Sequence, residues 1–400
     1  MKRISRNMVL TVVVFGIIGL GLMNVNYVYW LKEATASALV DAKNEGIFEA
    51  ISKFTDEVEN ISTEQLAYHD FCVNLNSAFM RFTNKRVVEK DDVTVVKMDN
   101  GMLAEEVSKI PEEDIQIFAD AVKRLQDDTG VPVMYVMAPE KGYNGGFPSN
   151  TDNYIGENCD IFLTELENRS VNYLDLRASM VEDEMTVEES FYATDHHWKP
   201  EVGLWAANEI CEKLGADYGF EYDVTLLDIK NYQVNTYEKC FLGSEGRKTG
   251  IYYTKYGLED FDVLYPKFST DLMVTNEVED TEVSGSFKDT VLNLKHLSYT
   301  TPYQSWLYST YSDGDNAVQV IENKLNEDGK TVLVVRDSFA GVVTPFLALE
   351  CKSLHVLDLR TDVIGTDRVE SVSEYAKEIQ PDYIIILYKT VKTPECYEFH

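Results

Sequence analysis

Three stretches of this chain run apolar almost without interruption: VPVMYVMAP at 131–139, TVLVV at 331–335 and YIIILY at 383–388. A strand with one wet face alternates polar and apolar residues. A run that stays apolar is the mark of a strand covered on both faces, and this requirement limits the fold more than any other feature. Around these runs stand segments with apolar residues at spacings of three and four. EEDIQIFADAVKRLQDDTG (112–130) is an amphipathic helix ending at a glycine, and CDIFLTELENRS (159–170) and DRVESVSEYAKEIQ (367–380) are further helices. PEVGLWAANEICEKLG (200–215) is a helix opening on Pro200, with Gly215 as its predicted stop. VNYLDLR (171–177) and SLHVLDLR (353–360) add strands, and AGVVTPFLALE (340–350) a short helix. Strands alternating with helices predict an α/β domain of three layers, α/β/α, around a mostly parallel sheet.

Residues 220–330 break the alternation. They are rich in Tyr, Thr, Asp and Gly, with short β-like runs such as KDTVLNL (288–294) and a first good helix only at AVQVIENKL (317–325). They are expected to form a β-rich, irregular insertion suited to the wall of a groove.

At the start, Lys2, Arg3 and Arg6 precede a run from Val9 to Met23 that carries no charge, closed by Tyr27, Tyr29 and Trp30. A basic flank before the run and aromatics after it predict a transmembrane helix with the body outside the cytoplasm. A cleaved signal peptide fits the same features. The small residues Ala34–Ala38 lie far past the apolar stretch, which favours an uncleaved anchor. The expected division is a cytoplasmic tip and signal-anchor at 1–30, a helical stalk or accessory segment at 31–90 and a catalytic domain at 91–400, in a single-pass cell-membrane protein.

The formal charge is −32, from 36 basic and 68 acidic residues. Nucleic acid and anionic lipid headgroups require basic clusters, so neither is an expected partner. The six cysteines (Cys72, Cys159, Cys211, Cys240, Cys351 and Cys396) show no metal-like spacing. An exported body permits disulfides, but the spacing favours no pairing over buried free thiols.

The chemistry gathers in two places. TVLVVRDSFAG sets Ser338 where a buried strand ends and a helix begins, and open α/β sheets bind their ligands at that end. Unpartnered N–H groups there can stabilise an oxyanion. A helix-capping serine is the alternative. A nucleophilic serine needs a base, and FYATDHHWKPE (191–201) offers one. In Asp195-x-His197 the carboxylate can fix one imidazole nitrogen and leave the other as the base, with His196 pointing elsewhere. A metal held by Asp195, His196 and His197 is the rival. Adjacent histidines rarely reach one ion together, and His69, His296, His355 and His400 form no matching pattern. No metal or cofactor is expected.

TDHHW, a strand ending in DSF and the order Asp-x-His before Ser resemble the DHHW proteins. These are similar to the alginate O-acetyltransferases of the SGNH hydrolase-like superfamily. The resemblance spans roughly residues 90–390 and includes APEK (138–141), NYLDL (172–176), FLGS (241–244), SDGDN (312–316), PFL (345–347), DLR (358–360) and PDYIIILY (381–388). It implies an SGNH-like fold with Ser338 as nucleophile, His197 as base and Asp195 as its orienter, in a permuted order. Arg336 stands where that family has a glycine. The further site candidates each keep an alternative. Gly243 is an oxyanion donor or a turn glycine, and Arg360 a ligand for an anionic or hydroxylated group or a surface ion pair. Trp198 is a sugar-stacking ring or packing, and Lys141 and Tyr192 are undecided between site and structure. The implied function is serine-dependent O-acyl transfer or ester hydrolysis on a cell-surface or exported polysaccharide. The implied partners are a glycan acceptor, an acyl donor and a membrane acyl-transfer protein of the MBOAT type. The competing reading is a catalytically inactive glycan-binding or assembly protein.

Overall fold

The computed structural model describes residues 69–400 apart from 91–92, 279, 300, 361–363, 365–368 and 390–393. The chain divides into two units, Met1–Thr83 and Asn84–His400. In the first, His69–Phe82 forms a helix (α1) within the predicted helical stretch. The predicted signal-anchor lies outside the described residues. Among the described residues no helix is long and apolar enough to cross a membrane.

The second unit opens with a small antiparallel sheet of β1 (Val87–Lys90), β2 (Val93–Lys97) and β3 (Leu103–Glu105). Its main sheet is mixed and eight-stranded, in the order β5-β4-β13-β11-β12-β10-β8-β9. Five of these strands run parallel: β4 (Val133–Met137), β5 (Asn172–Asp175), β11 (Thr331–Arg336), β12 (Ser353–Asp358) and β13 (Tyr383–Tyr388). The continuous apolar runs are β4, β11 and β13, side by side at the centre. Every residue of β4 and β13 is buried. Successive side chains serve opposite faces, as the pleat requires. Met134 and Val136 join one hydrophobic cluster, whereas Val133, Tyr135 and Met137 join the other. The first cluster takes helix α5 (Pro200–Tyr218), and the second takes α2 (Glu112–Thr129), α3 (Ile155–Asn168) and α7 (Val372–Ile379).

The helix boundaries follow local chemistry, with one shift. Pro200 sits in the first turn of α5, as expected, but the helix runs through Gly215 and ends at Gly219, in the left-handed region at φ 74°. Gly219 is the residue that meets the conformational demand of the terminus. The strand predicted at 171–177 stops at Asp175, whose carboxylate accepts from the Arg177 N–H and starts helix α4 (Leu176–Glu182).

Two readings of the insertion are corrected. AVQVIENKL is not a helix; Val318–Asn323 is β10, antiparallel to both β12 and β8. Its Val318, Val320 and Ile321 are β-branched, and pairing on both edges decides the conformation. KDTVLNL is not a strand, because Phe287–Thr290 forms a helical turn. With β8 (Leu272–Asn276) and β9 (Thr281–Gly285), β10 extends the main sheet by three antiparallel strands. β6 (Tyr232–Phe241) and β7 (Glu259–Pro266) pair as a separate ribbon. The sheet is therefore mixed, with the five expected parallel strands extended by three antiparallel ones. All six cysteines are free thiols, and Cys159, Cys211, Cys351 and Cys396 are buried.

Glu350 shows what burial costs a carboxylate here. Its Oε2 accepts from the Asp223 N–H at 2.9 Å, while Oε1 is buried and finds no partner among the described residues. Burial, helped by the charge of Asp223, pushes its pKa up to about 7. A raised folded-state pKa makes a stabilising contribution below the unfolded pKa that is lost as pH rises through the folded one. Glu350→Gln keeps an oxygen for Asp223. Relative to this variant, the wild type should lose about 3 kcal/mol between pH 5 and pH 8. Urea unfolding at the two pH values measures this, and equal differences at both would refute it.

Candidate active site

Residues 190–199 fold back on themselves. The Lys199 N–H donates to the Ser190 carbonyl at 2.8 Å and the Tyr192 N–H to the His197 carbonyl at 3.2 Å. This turn places Asp195 and His197 together in front of α5. The Asp195 Oδ1 accepts from the His197 N–H at 2.9 Å and lies 2.5 Å from its Nδ1. The other ring nitrogen, Nε2, is 2.8 Å from the Ser338 Oγ. A carboxylate, an imidazole and a hydroxyl are thus in hydrogen-bonded series, the arrangement that lets a serine hydroxyl lose its proton as it attacks.

Ser338 comes from the carboxyl end of β11, which has a parallel neighbour on each side, β13 and β12. It does not cap the turn that follows. Asp337 does, with Oδ1 accepting from the Phe339 N–H at 2.9 Å and Oδ2 from the Lys389 N–H at 2.9 Å. Among the described residues nothing accepts from the Ser338 N–H. Helix α5 approaches this segment closely, and a Cβ on Gly203 would lie 2.3 Å from the Val342 carbonyl oxygen.

Of the remaining candidates, all but Arg360 take the structural one of their two alternatives. Trp198 is fully buried, and its Nε1–H donates to the Phe339 carbonyl at 3.0 Å, tying the histidine loop to the serine turn. It cannot stack on a sugar. Tyr192 is buried against Phe241, with ring centroids 4.3 Å apart, so it is packing. Lys141 is buried beneath the loop, where its Nζ donates to the carbonyls of Tyr192 at 3.0 Å and Asp195 at 2.6 Å. It braces the loop and does not face a ligand. Burial lowers its pKa, opposed by Glu245 and Asp195. The Gly243 N–H donates to Thr194 Oγ1 at 3.1 Å, so it is not an oxyanion donor. Gly243 instead allows close approach, for a Cβ there would lie 2.2 Å from the Asp195 Cβ. Arg360 does line the cleft, paired with Asp358 and, at 2.8 Å, with Asp315. Arg336 is buried behind it and also pairs with Asp315, at 2.6 Å.

Several residues gave no signal in the sequence. Helix α6 (Ser244–Thr249) directs the Ser244 N–H at Asp195 Oδ2, 2.7 Å away. Glu259 accepts from the N–H groups of Ala193 and Thr194 at 2.7 and 2.8 Å. Tyr308 stacks on His197, with centroids 3.9 Å apart and planes at 17°. Only FLGS (241–244) could have pointed to Ser244, through the neighbouring glycine. Burial pushes the Asp195 carboxyl upward, but the His197 and His196 rings and the hydrogen bonds from His197 hold it well below the usual range.

His196 is turned away from the series. Its Nδ1 lies 2.9 Å from Ser244 Oγ and 3.2 Å from Glu245 Oε1. Glu105, His196 and Glu245 bring donor atoms within 4.8 Å of one another, as do Asp195, His196 and His197. Lys248 and Lys389 already pair with Glu105, and Lys141 lies beside Glu245. A cation at that first trio would meet three ammonium groups.

Ser338, His197, Ser244, Arg247, Trp306 and Tyr308 line one cleft of about 220 Å³, together with Asp315 and Arg360. The insertion supplies much of this wall.

Residues 99–237 match the family described as SGNH hydrolase-like domain, acetyltransferase AlgX. The matched segment of this SGNH hydrolase-like domain includes Asp195 and His197 and ends before Ser338. Bacillus cereus PatB1 with a sulfonyl adduct has a similar fold, at 19% identity over 78% of this chain and 99% of that one, with a TM-score of 0.61. So does a DHHW family protein from Eubacterium siraeum, at 19% identity over 78% of this chain and 96% of that one, with a TM-score of 0.57. No curated protein matches the chain. The resemblance carried by TDHHW therefore holds: the chain has the fold of a DHHW protein, and its residues 99–237 match the SGNH hydrolase-like domain described for AlgX.

Proposed function

We propose that this chain is an extracytoplasmic serine-dependent O-acyltransferase or esterase acting on acetyl groups of a cell-surface or exported polysaccharide. One observation carries the reading: Ser338 Oγ, His197 Nε2, His197 Nδ1 and Asp195 Oδ1 form a continuous series at 2.8 and 2.5 Å. Ser338 attacks the acyl carbonyl while His197 takes its proton. The imidazolium then protonates the departing alcohol, leaving an acyl ester on Ser338. A sugar hydroxyl or water, deprotonated by His197, attacks that ester and releases the serine. Asp195 holds the imidazole in the tautomer that leaves Nε2 free. A binding protein without catalysis has no need of this alignment, nor of Ser244 and Glu259 bracing it.

The SGNH hydrolase-like match, in the three-layer form expected of that superfamily, supports the acyl-transfer class. The basic start and the apolar run from Val9 to Met23 support a membrane-tethered body outside the cytoplasm, where a membrane partner would supply the acyl donor. Acetate release from a chromogenic ester added to intact cells tests both parts. Release should be abolished by protease applied outside the cells and by a sulfonyl fluoride, whose label should map to VVRDSFAGVV. A label on another serine, or release that survives external protease, would sink the reading.

A further inference from the structure

We propose that Trp306 is the platform on which the acceptor sugar ring stacks, held ready by Arg247. This rests on the acyl-transfer reading above and names its acceptor subsite. Trp306 lines the same cleft as Ser338, yet 64% of it is exposed, in contrast to the buried Trp198. A large aromatic left open inside a concave site loses apolar burial that a ligand restores. The indole is also fixed in place. The Arg247 guanidinium lies 4.5 Å from its ring centroid, and Arg247 Nη1 donates to the Ser305 carbonyl at 2.8 Å. The guanidinium occupies one face of the ring. The other is available to the axial C–H face of a pyranose, which presents weakly polar hydrogens to a π-system. Two residues on, Tyr308 stacks on His197. One short segment therefore sets both the platform and a wall of the base, which relates the sugar to the reacting hydroxyl.

The test uses the full chain, with tetrasaccharides of β-1,4-linked N-acetylglucosamine and of β-1,4-linked mannuronate as acceptor probes. Wild-type indole emission should shift on titration with at least one of them, and the same titration of Trp306→Ala should be flat. With that probe, Trp306→Ala should raise the acceptor KM about tenfold, more than it lowers kcat, and shift the product ratio from sugar ester toward free acetate. Trp306→Phe should recover part of the KM, because a smaller ring still stacks. Val181→Ala, which removes an exposed apolar side chain outside the cleft lining, controls for surface changes. Neither probe shifting the wild-type emission, or an unchanged acceptor KM in Trp306→Ala, overturns the platform. A wild-type chain that releases no acetate from any ester overturns the acyl-transfer reading instead, and the emission titration still decides the platform.

Discussion

Ser338→Ala and His197→Ala are each expected to lower ester turnover by about four orders of magnitude, and the double variant to be little worse than either. The non-additivity follows from the geometry. The His197 Nε2 has Ser338 Oγ as its hydrogen-bond partner, at 2.8 Å, so once one member is gone the other has no proton to transfer. Asp195→Asn should also be severe. Both carboxylate oxygens accept from backbone N–H groups, Oδ1 from His197 and Oδ2 from Ser244, so an amide nitrogen must face a donor at one of them, and the imidazolium loses its counter-charge. His196→Ala should cost far less, since its Nδ1 engages Ser244 and Glu245 rather than Ser338. Single-turnover measurements with a chromogenic acetate ester separate acylation from release. A crippled His196→Ala beside a mild His197→Ala would show that the wrong histidine has been assigned.

The parts of the fold legible in the sequence are those whose demands are local. A strand buried on both faces must be apolar throughout, and β4, β11 and β13 were visible for that reason. The glycine after α2 was visible because Gly130 takes a left-handed conformation, at φ 67°. The β10 segment resembles a helix in sequence because its pairing neighbours are distant. Its conformation is decided by antiparallel pairing with β12 on one edge and with β8 on the other. No local window holds all three strands. Gly215 carries the sequence mark of a helix end, a glycine after an amphipathic run, but the helix there continues to its terminus at Gly219.

The site divides along the same line. Asp195 and His197 are two residues apart and Ser338 follows a buried strand, so their chemistry could be read from short stretches. The supporting residues could not. Lys141 reaches Asp195 across 54 positions, Ser244 across 49 and Glu259 reaches Thr194 across 65. A sequence shows that Trp198 stands beside the motif, but not that it and Lys141 are both buried and face away from the ligand. The exposed tryptophan of the cleft is Trp306, in a segment with no motif of its own.

Gly243→Ala is expected to lower turnover by about two orders of magnitude while leaving a folded protein. The backbone at Gly243, with φ −70° and ψ 178°, is open to any residue, so conformation is not the obstacle. Space is. The added methyl would lie 2.2 Å from the Asp195 Cβ, 2.4 Å from the Thr194 carbonyl oxygen and 2.5 Å from the Asp195 Cα. Two of those three atoms are backbone and none is the end of a flexible side chain, so the two segments must separate. Overpacking of this kind costs about 1–3 kcal/mol, which a domain with this much buried core can absorb. The separation would first lengthen the 2.7 Å bond from the Ser244 N–H to Asp195 Oδ2, the contact that fixes the second carboxylate oxygen. Asp195 would then be free to rotate, and His197 would lose its fixed bearing on Ser338. The loss should appear in kcat and in the rate of sulfonylation at Ser338, with little change in KM. In an Asp195→Asn background, where the carboxylate is already gone, Gly243→Ala should add almost nothing. Turnover within a few-fold of wild type in the single variant would mean that the carboxylate is held by His197 alone.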